Sequence, residues 1–297
     1  MNEDHVVAAA KKPLWDQIFD FPLVAMLVAV ALFIVAERAT YLISQGLLPP
    51  PGTLQNLVAT GVVEVALLLI VYKMAIVRMG ERPHDDLRLV DAAKGLAIGL
   101  VAGAALMCLV VGAAAVGDIY NIVGHGNFDE FPRDLIAAAI LPAFREELFF
   151  RGILFRWIEE FGGSWAALIV TSALFGLAHI LNPNATWFSS FAIAMEAGVL
   201  LGGAYMLTRN LWMPMGLHAA WNFTQGFVFD VNVSGIEEHG LVEAKLSGPQ
   251  LLSGGSFGLE ASIIALVIAT GAGVWLVVLA VRRGGSVKPW WVRRKQV

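Results

Sequence analysis

Two adjacent carboxylates, Glu146 and Glu147, stand inside the apolar run 141–156, with Arg151 four residues past the second. On a helix Glu147 and Arg151 share a face and can pair. Glu146 is then turned roughly a quarter turn or more away and is free to face something else. Ionisable groups in an apolar span are costly unless paired or wet, and so mark a candidate functional site. Of the six histidines, only His179 and His218 fall in apolar runs; His218 and Asn222 are four apart and share a helix face. A carboxylate with an imidazole can hold a water and take its proton. A second imidazole and an amide N–H can donate to a developing oxyanion. The set therefore suits a hydrolase. Glu146, His179 and His218 could alternatively ligate Zn²⁺. The chain has no His-Glu-x-x-His run and no Gly-x-Ser-x-Gly elbow. Its one cysteine, Cys108, has no basic residue or histidine near it in sequence, so a thiol nucleophile lacks support. Cys108 reads as a small packed residue.

The elements that must position this set are membrane helices. The chain is 58% hydrophobic and 15% charged, well short of the charge of a soluble domain. Its apolar runs are continuous rather than alternating, which points to an all-α polytopic bundle and not a barrel. Spans are expected near 21–44, 55–77, 92–117, 133–157, 164–181, 187–207, 211–229 and 257–281, about eight in all. The first reads as an uncleaved span. The whole of 1–297 reads as one membrane domain: a tail over 1–20, site-bearing helices over 133–229, an acidic loop over 230–256 and a basic tail over 282–297. With eight spans, Lys11, Lys12, Arg78, Arg82, Arg88, Arg156, Arg209 and the cations after 281 share one side. That bias puts both termini in the cytoplasm. Net charge of −4 argues against a nucleic-acid partner. Glu64 and Glu196 are isolated carboxylates in spans two and six, either paired with a neighbouring span or open to water.

Glu146-Glu147-x-x-x-Arg151, Phe175-x-x-x-His179 and His218-x-x-x-Asn222, in this order on separate spans, resemble the CAAX protease and bacteriocin-processing (CPBP, or Abi) family of intramembrane proteases, which includes the type II CAAX prenyl endopeptidases. The resemblance implies a helix bundle with a conical cavity open to the cytoplasmic side. It implies that Glu146 and His179 activate water, that His218 and Asn222 stabilise the oxyanion, and that Glu147 and Arg151 support the site. The expected function is an endopeptidase cleaving a peptide or membrane-associated protein near the cytoplasmic face of a bacterial inner membrane. A glutamic-type mechanism without cofactor is favoured over a zinc enzyme, because Asn222 is a poor zinc ligand and a good oxyanion donor. The alternative is a non-proteolytic immunity or partner-stabilising protein, whose polar residues only join helices.

Overall fold

A computed structural model describes residues 18–80 and 83–296. Most of the expected 1–20 tail, with Lys11 and Lys12, lies outside the described residues, as does Arg82. Seven long helical runs are labelled here in chain order. α1 (Pro22–Leu47) starts on a proline, which suits a first turn whose N–H groups have no partner. α2 (Leu54–Met74) is capped by the Thr53 hydroxyl, which accepts from the Asn56 N–H at 3.1 Å. α3 is Ala92–Val116. α4 (Phe131–Leu181) is a run of 51 residues that breaks at Gly163, where φ is 83°, a backbone state open to glycine. α5 is Trp187–Thr208, opened by a capping box between Thr186 and Ser189. α6 (Trp212–Phe223) continues into a π turn, Thr224–Val228. α7 is Ile263–Arg282.

The fold is the expected polytopic helix bundle. Six of the runs are long and apolar enough to cross a membrane. The spans expected at 133–157 and 164–181 are the two arms of α4. The span expected at 211–229 is α6, which is short and carries His218, Asn222 and Gln225 into the interior. One feature departs from an all-helical chain: β1 (Tyr120–His125) pairs antiparallel with β2 (Val242–Leu246) across one end of the bundle. Large apolar side chains such as Leu27, Val35 and Leu42 of α1 and Val101 of α3 point outward, as lipid-facing positions do. α5 is the central helix: 61% of its apolar window is buried, against 28% for each of α1, α2 and α3. Cys108, expected to be packed, is instead exposed on α3, where neighbouring helices leave it uncovered.

The two ends of the bundle differ in chemistry. At one end the 75–91 loop, the Gly163 break, the start of α6 and the C-terminal segment meet. There Arg156 donates to the carbonyls of Ile76 and Met79, and Leu211 N–H donates to the Asp86 carbonyl at 3.0 Å. Buried Asp86 accepts from Tyr72 at 3.1 Å and Tyr205 at 3.2 Å. Arg209 pairs with Glu159, and Ser164 N–H donates to the Val287 carbonyl. Arg78, Arg88 and the cations after α7 belong to this end. At the other end lie the β ribbon, the start and finish of α4 and the 229–262 segment. They are joined by Tyr120 Oη to the Phe229 carbonyl and Asn182 Nδ2 to the Ser234 carbonyl, both at 3.1 Å.

α6 is held by a close crossing with α3. Gly99 and Gly103 of α3 face the backbone of Met213, Gly216 and Leu217, and Gly216 faces Leu96 and Leu100 in return. A Cβ at any of the three would overlap a backbone atom of the other helix. This small-residue seam lets van der Waals packing hold α6 where no hydrophobic force acts between helices in lipid. Gly103→Val should therefore destabilise the protein by about 1–3 kcal/mol or more. A detergent-solubilised thermal midpoint equal to that of the parent would contradict the seam's role.

Candidate active site

The site is built from α4, α5 and α6. The first arm of α4 carries Glu146 and Glu147 just before a π turn, Leu148–Phe155, that contains Arg151. Glu147 and Arg151 have no exposed side-chain surface. They pair at 2.9 Å, as the i,i+4 spacing predicts. Arg151 also donates to the carbonyls of Ala197 and Gly198 in the π turn Ala194–Gly198 of α5. Its guanidinium lies 4.7 Å from the centre of the Phe175 ring. A buried charge is tolerable only with such partners.

Glu147 has a second partner that spacing could not reveal. The same oxygen that takes Arg151 stands 3.0 Å from His218 Nδ1 on α6. A carboxylate only accepts, so Nδ1 carries the proton and Nε2 is left for the cavity. His179 ends the second arm of α4, where its Nδ1 stands 2.7 Å from the Phe175 carbonyl. That carbonyl also only accepts, so Nδ1 is again the donor and Nε2 is the nitrogen left for the cavity. Asn222 donates through Nδ2 to the Ala138 carbonyl at 2.9 Å, in the π turn Leu135–Ile140. One of its two amide N–H groups is thereby committed, and one remains. Arg145, which could compete for Glu146, reaches instead to Glu64 of α2 at 3.4 Å. That contact accounts for Glu64 as an interhelical partner. Glu146 keeps a buried oxygen, Oε2, with no hydrogen-bond partner.

Glu146, His179, His218 and Asn222 all line one cavity of about 600 Å³. Glu147 and Arg151 stand behind it. The four residues singled out in three separate motifs thus converge on a common space. Among the described residues, no group of three or more His, Cys, Asp and Glu side chains is gathered closely enough to hold a metal ion.

Residues 129–224 match the family model of type II CAAX prenyl endopeptidase, Rce1-like proteins. The segment is Rce1-like. It holds all six residues named above, and the match bears out the family resemblance seen in the motifs. No curated protein and no solved structure matches the chain.

Carboxylates near the Rce1-like motifs form part of the surroundings that sequence reasoning missed or left unplaced. Glu196, in a π turn of α5, is buried and borders a second cavity of about 30 Å³ shared with His179 and His218. Glu260 borders the same space; it accepts from the Ser234 N–H, and burial pushes its carboxyl up to about 7. Glu196 was visible as an isolated intramembrane carboxylate. Glu260 precedes α7 with no motif around it. Asp134 and Glu238 line the large cavity from α4 and from the 230–256 loop. Burial, then the adjacent Asp134 carboxylate, push Glu238 up to about 8.

The cavity is also lined by 233–239 and by Glu130 and Arg133, so it opens at the end with the β ribbon. That is the end opposite the basic tail. The expectations of cytoplasmic termini and of a cavity open to the cytoplasm therefore exclude one another.

Two outcomes follow for the supporting groups. Glu147→Ala leaves Arg151 buried without its carboxylate and should cost roughly 3–5 kcal/mol, read as a lower thermal midpoint. Glu147→Gln keeps the shape and an acceptor oxygen but not the charge, so it should lower the midpoint by less than Glu147→Ala does, and should lower turnover as well, because His218 loses its charged partner. Equal, small effects of both substitutions would contradict the double contact. The Asp134–Glu238 contact needs a proton. Glu238 has its pKa raised in the fold, so its contribution is whole below about pH 4.5, its ordinary value, and is lost as pH rises through about 8. The thermal midpoint should fall across that window, and part of the fall should be missing in Glu238→Gln. Identical pH profiles for the two proteins would contradict the shared proton.

Proposed function

We propose that the protein is an endopeptidase of glutamic type, in which water held between Glu146 and His179 attacks a peptide carbonyl. The observation that supports this reading is the convergence of Glu146, His179, His218 and Asn222 on one cavity. Glu146 offers an unpartnered carboxylate oxygen, and His179 offers an Nε2 lone pair. Either can accept a proton from water, and both together can orient it. The Nδ1 contact to Phe175 fixes the His179 ring, so its reactive nitrogen is not free to turn away.

Across the cavity, His218 and Asn222 serve the carbonyl oxygen. Asn222 donates its second amide hydrogen. His218 donates from Nε2 when that nitrogen is protonated; the ring then carries positive charge, which Glu147 at Nδ1 balances. Charge developing on the oxygen in the transition state meets two donors already in place. Collapse of the tetrahedral intermediate then needs a proton for the leaving amine, and Glu146, having taken one from water, can return it. Glu147 and Arg151 act through position: they set His218 and tie α4 to α5.

Glu146→Gln and His179→Ala should each reduce cleavage of a native substrate by about 10²–10⁴-fold while the protein still inserts and keeps its thermal midpoint. Full activity in either well-folded variant would overturn the assignment. Activity that survives chelation, with no stoichiometric metal by elemental analysis, is the expected companion result; loss on chelation and rescue by Zn²⁺ would turn the reading toward a metalloprotease.

A further inference from the structure

We propose that the cavity opens on the extracytoplasmic face of the membrane and receives, from that side, a peptide segment carrying basic residues. The substrate part of this inference rests on the endopeptidase reading; the sidedness does not.

The first support is the partition of cations between the ends. Arg78, Arg88, Arg209, Arg282 and Arg283, with the Lys288–Lys295 tail, lie at the end fastened by the Arg156, Asp86 and Ser164 contacts. The opposite end has Arg133 and Lys245, with Arg38 of α1 and Arg145 deeper, the latter matched by Glu64. Lys and Arg near helix ends and in short loops are held back on the cytoplasmic side during insertion, while acidic residues contribute little to orientation. The tail sets Trp290 and Trp291 beside its cations, with Arg294 stacked 4.2 Å from the centre of the Trp290 ring, as suits an anchor on anionic lipid. The cavity and the 233–239 segment that borders it lie at the other end.

The second support is the cavity's own charge. Its outer lining bears Glu130, Asp134, Glu237 and Glu238 against Arg133 and His239. Asp134 is buried, with Oδ2 lacking any hydrogen-bond partner. A lysine or arginine side chain placed beside Asp134 and Glu238 would supply the donor that this oxygen lacks. Opposite charge lining a concave mouth concentrates such a ligand and speeds its capture. A space of about 600 Å³ is within the range that holds a ligand of several residues' side chains.

The sidedness is tested in a Cys108→Ala background, which has no other thiol. Lys245→Cys and Ser286→Cys place single thiols at exposed positions at the two ends. A membrane-impermeant maleimide should label Lys245→Cys in right-side-out vesicles and Ser286→Cys only after lysis. The reverse pattern overturns the proposal, and so does equal labelling of both. The substrate class is tested by binding, without turnover, to the Glu146→Gln protein in zwitterionic nanodiscs. A fluorescent Lys/Ala peptide should bind at least tenfold more tightly than its Glu/Ala counterpart, less tightly at high salt, and less tightly when Glu130→Gln and Glu237→Gln are added. Equal binding of the two peptides, or no binding of the cationic one, overturns the substrate class. Neither arm requires cleavage, so both remain readable if the protein proves not to be a protease.

Discussion

A carboxylate with no exposed surface, that of Glu147, holds both a guanidinium and an imidazole through one oxygen. Much else in the site follows from this contact. It gives Arg151 the counter-charge without which a fully buried guanidinium would be untenable. Arg151 can then turn its Nη2 to the backbone of α5, at Ala197 and Gly198. The same carboxylate fixes which nitrogen of His218 carries a proton, and so which one faces the cavity. One side chain thus sets the spacing of three helices and the chemistry of an imidazole. The division between Glu146 for chemistry and Glu147 for support is less sharp than the motif spacing implies, because Glu147 reaches the site through His218.

Irregular backbone is the second constraint. π turns interrupt α4 at Leu135–Ile140 and Leu148–Phe155, α5 at Ala194–Gly198 and the end of α6 at Thr224–Val228. A π turn rotates the side chains that follow and changes which carbonyls the helix itself uses. In lipid, a carbonyl given up by the helix must find another donor. Asn222 meets Ala138 in the first of these turns, and Arg151 meets Ala197 and Gly198 in the third. The polar side chains of the site and the irregular turns around it therefore satisfy each other.

The sequence is informative where chemistry and spacing coincide. The i,i+4 pair of Glu147 and Arg151 is legible because a single helix fixes it. The gathering of Glu146, His179, His218 and Asn222 is legible because polar groups in apolar spans have few other fates, and because the three motifs resemble one family. What was not legible depends on contacts between distant segments. The Glu147–His218 contact joins α4 to α6, and the Arg145–Glu64 pair joins α4 to α2. Asp134 and Glu238 meet only because the 230–256 loop folds back over the start of α4. The β ribbon is not legible because its strands, Tyr120–His125 and Val242–Leu246, are short and far apart in the chain. Which end holds the cavity was not legible, since that depends on how α4 enters the bundle.

Both imidazoles present Nε2 to the cavity because Nδ1 is occupied. Nitrogen NMR on the protein labelled at histidine, with His179 and His218 assigned by single substitution, reads this directly. Both rings should show a protonated Nδ1, and Glu147→Gln should move the Nδ1 signal of His218 while leaving that of His179 in place. An Nε2–H tautomer with a bare Nδ1 on either ring would contradict the account.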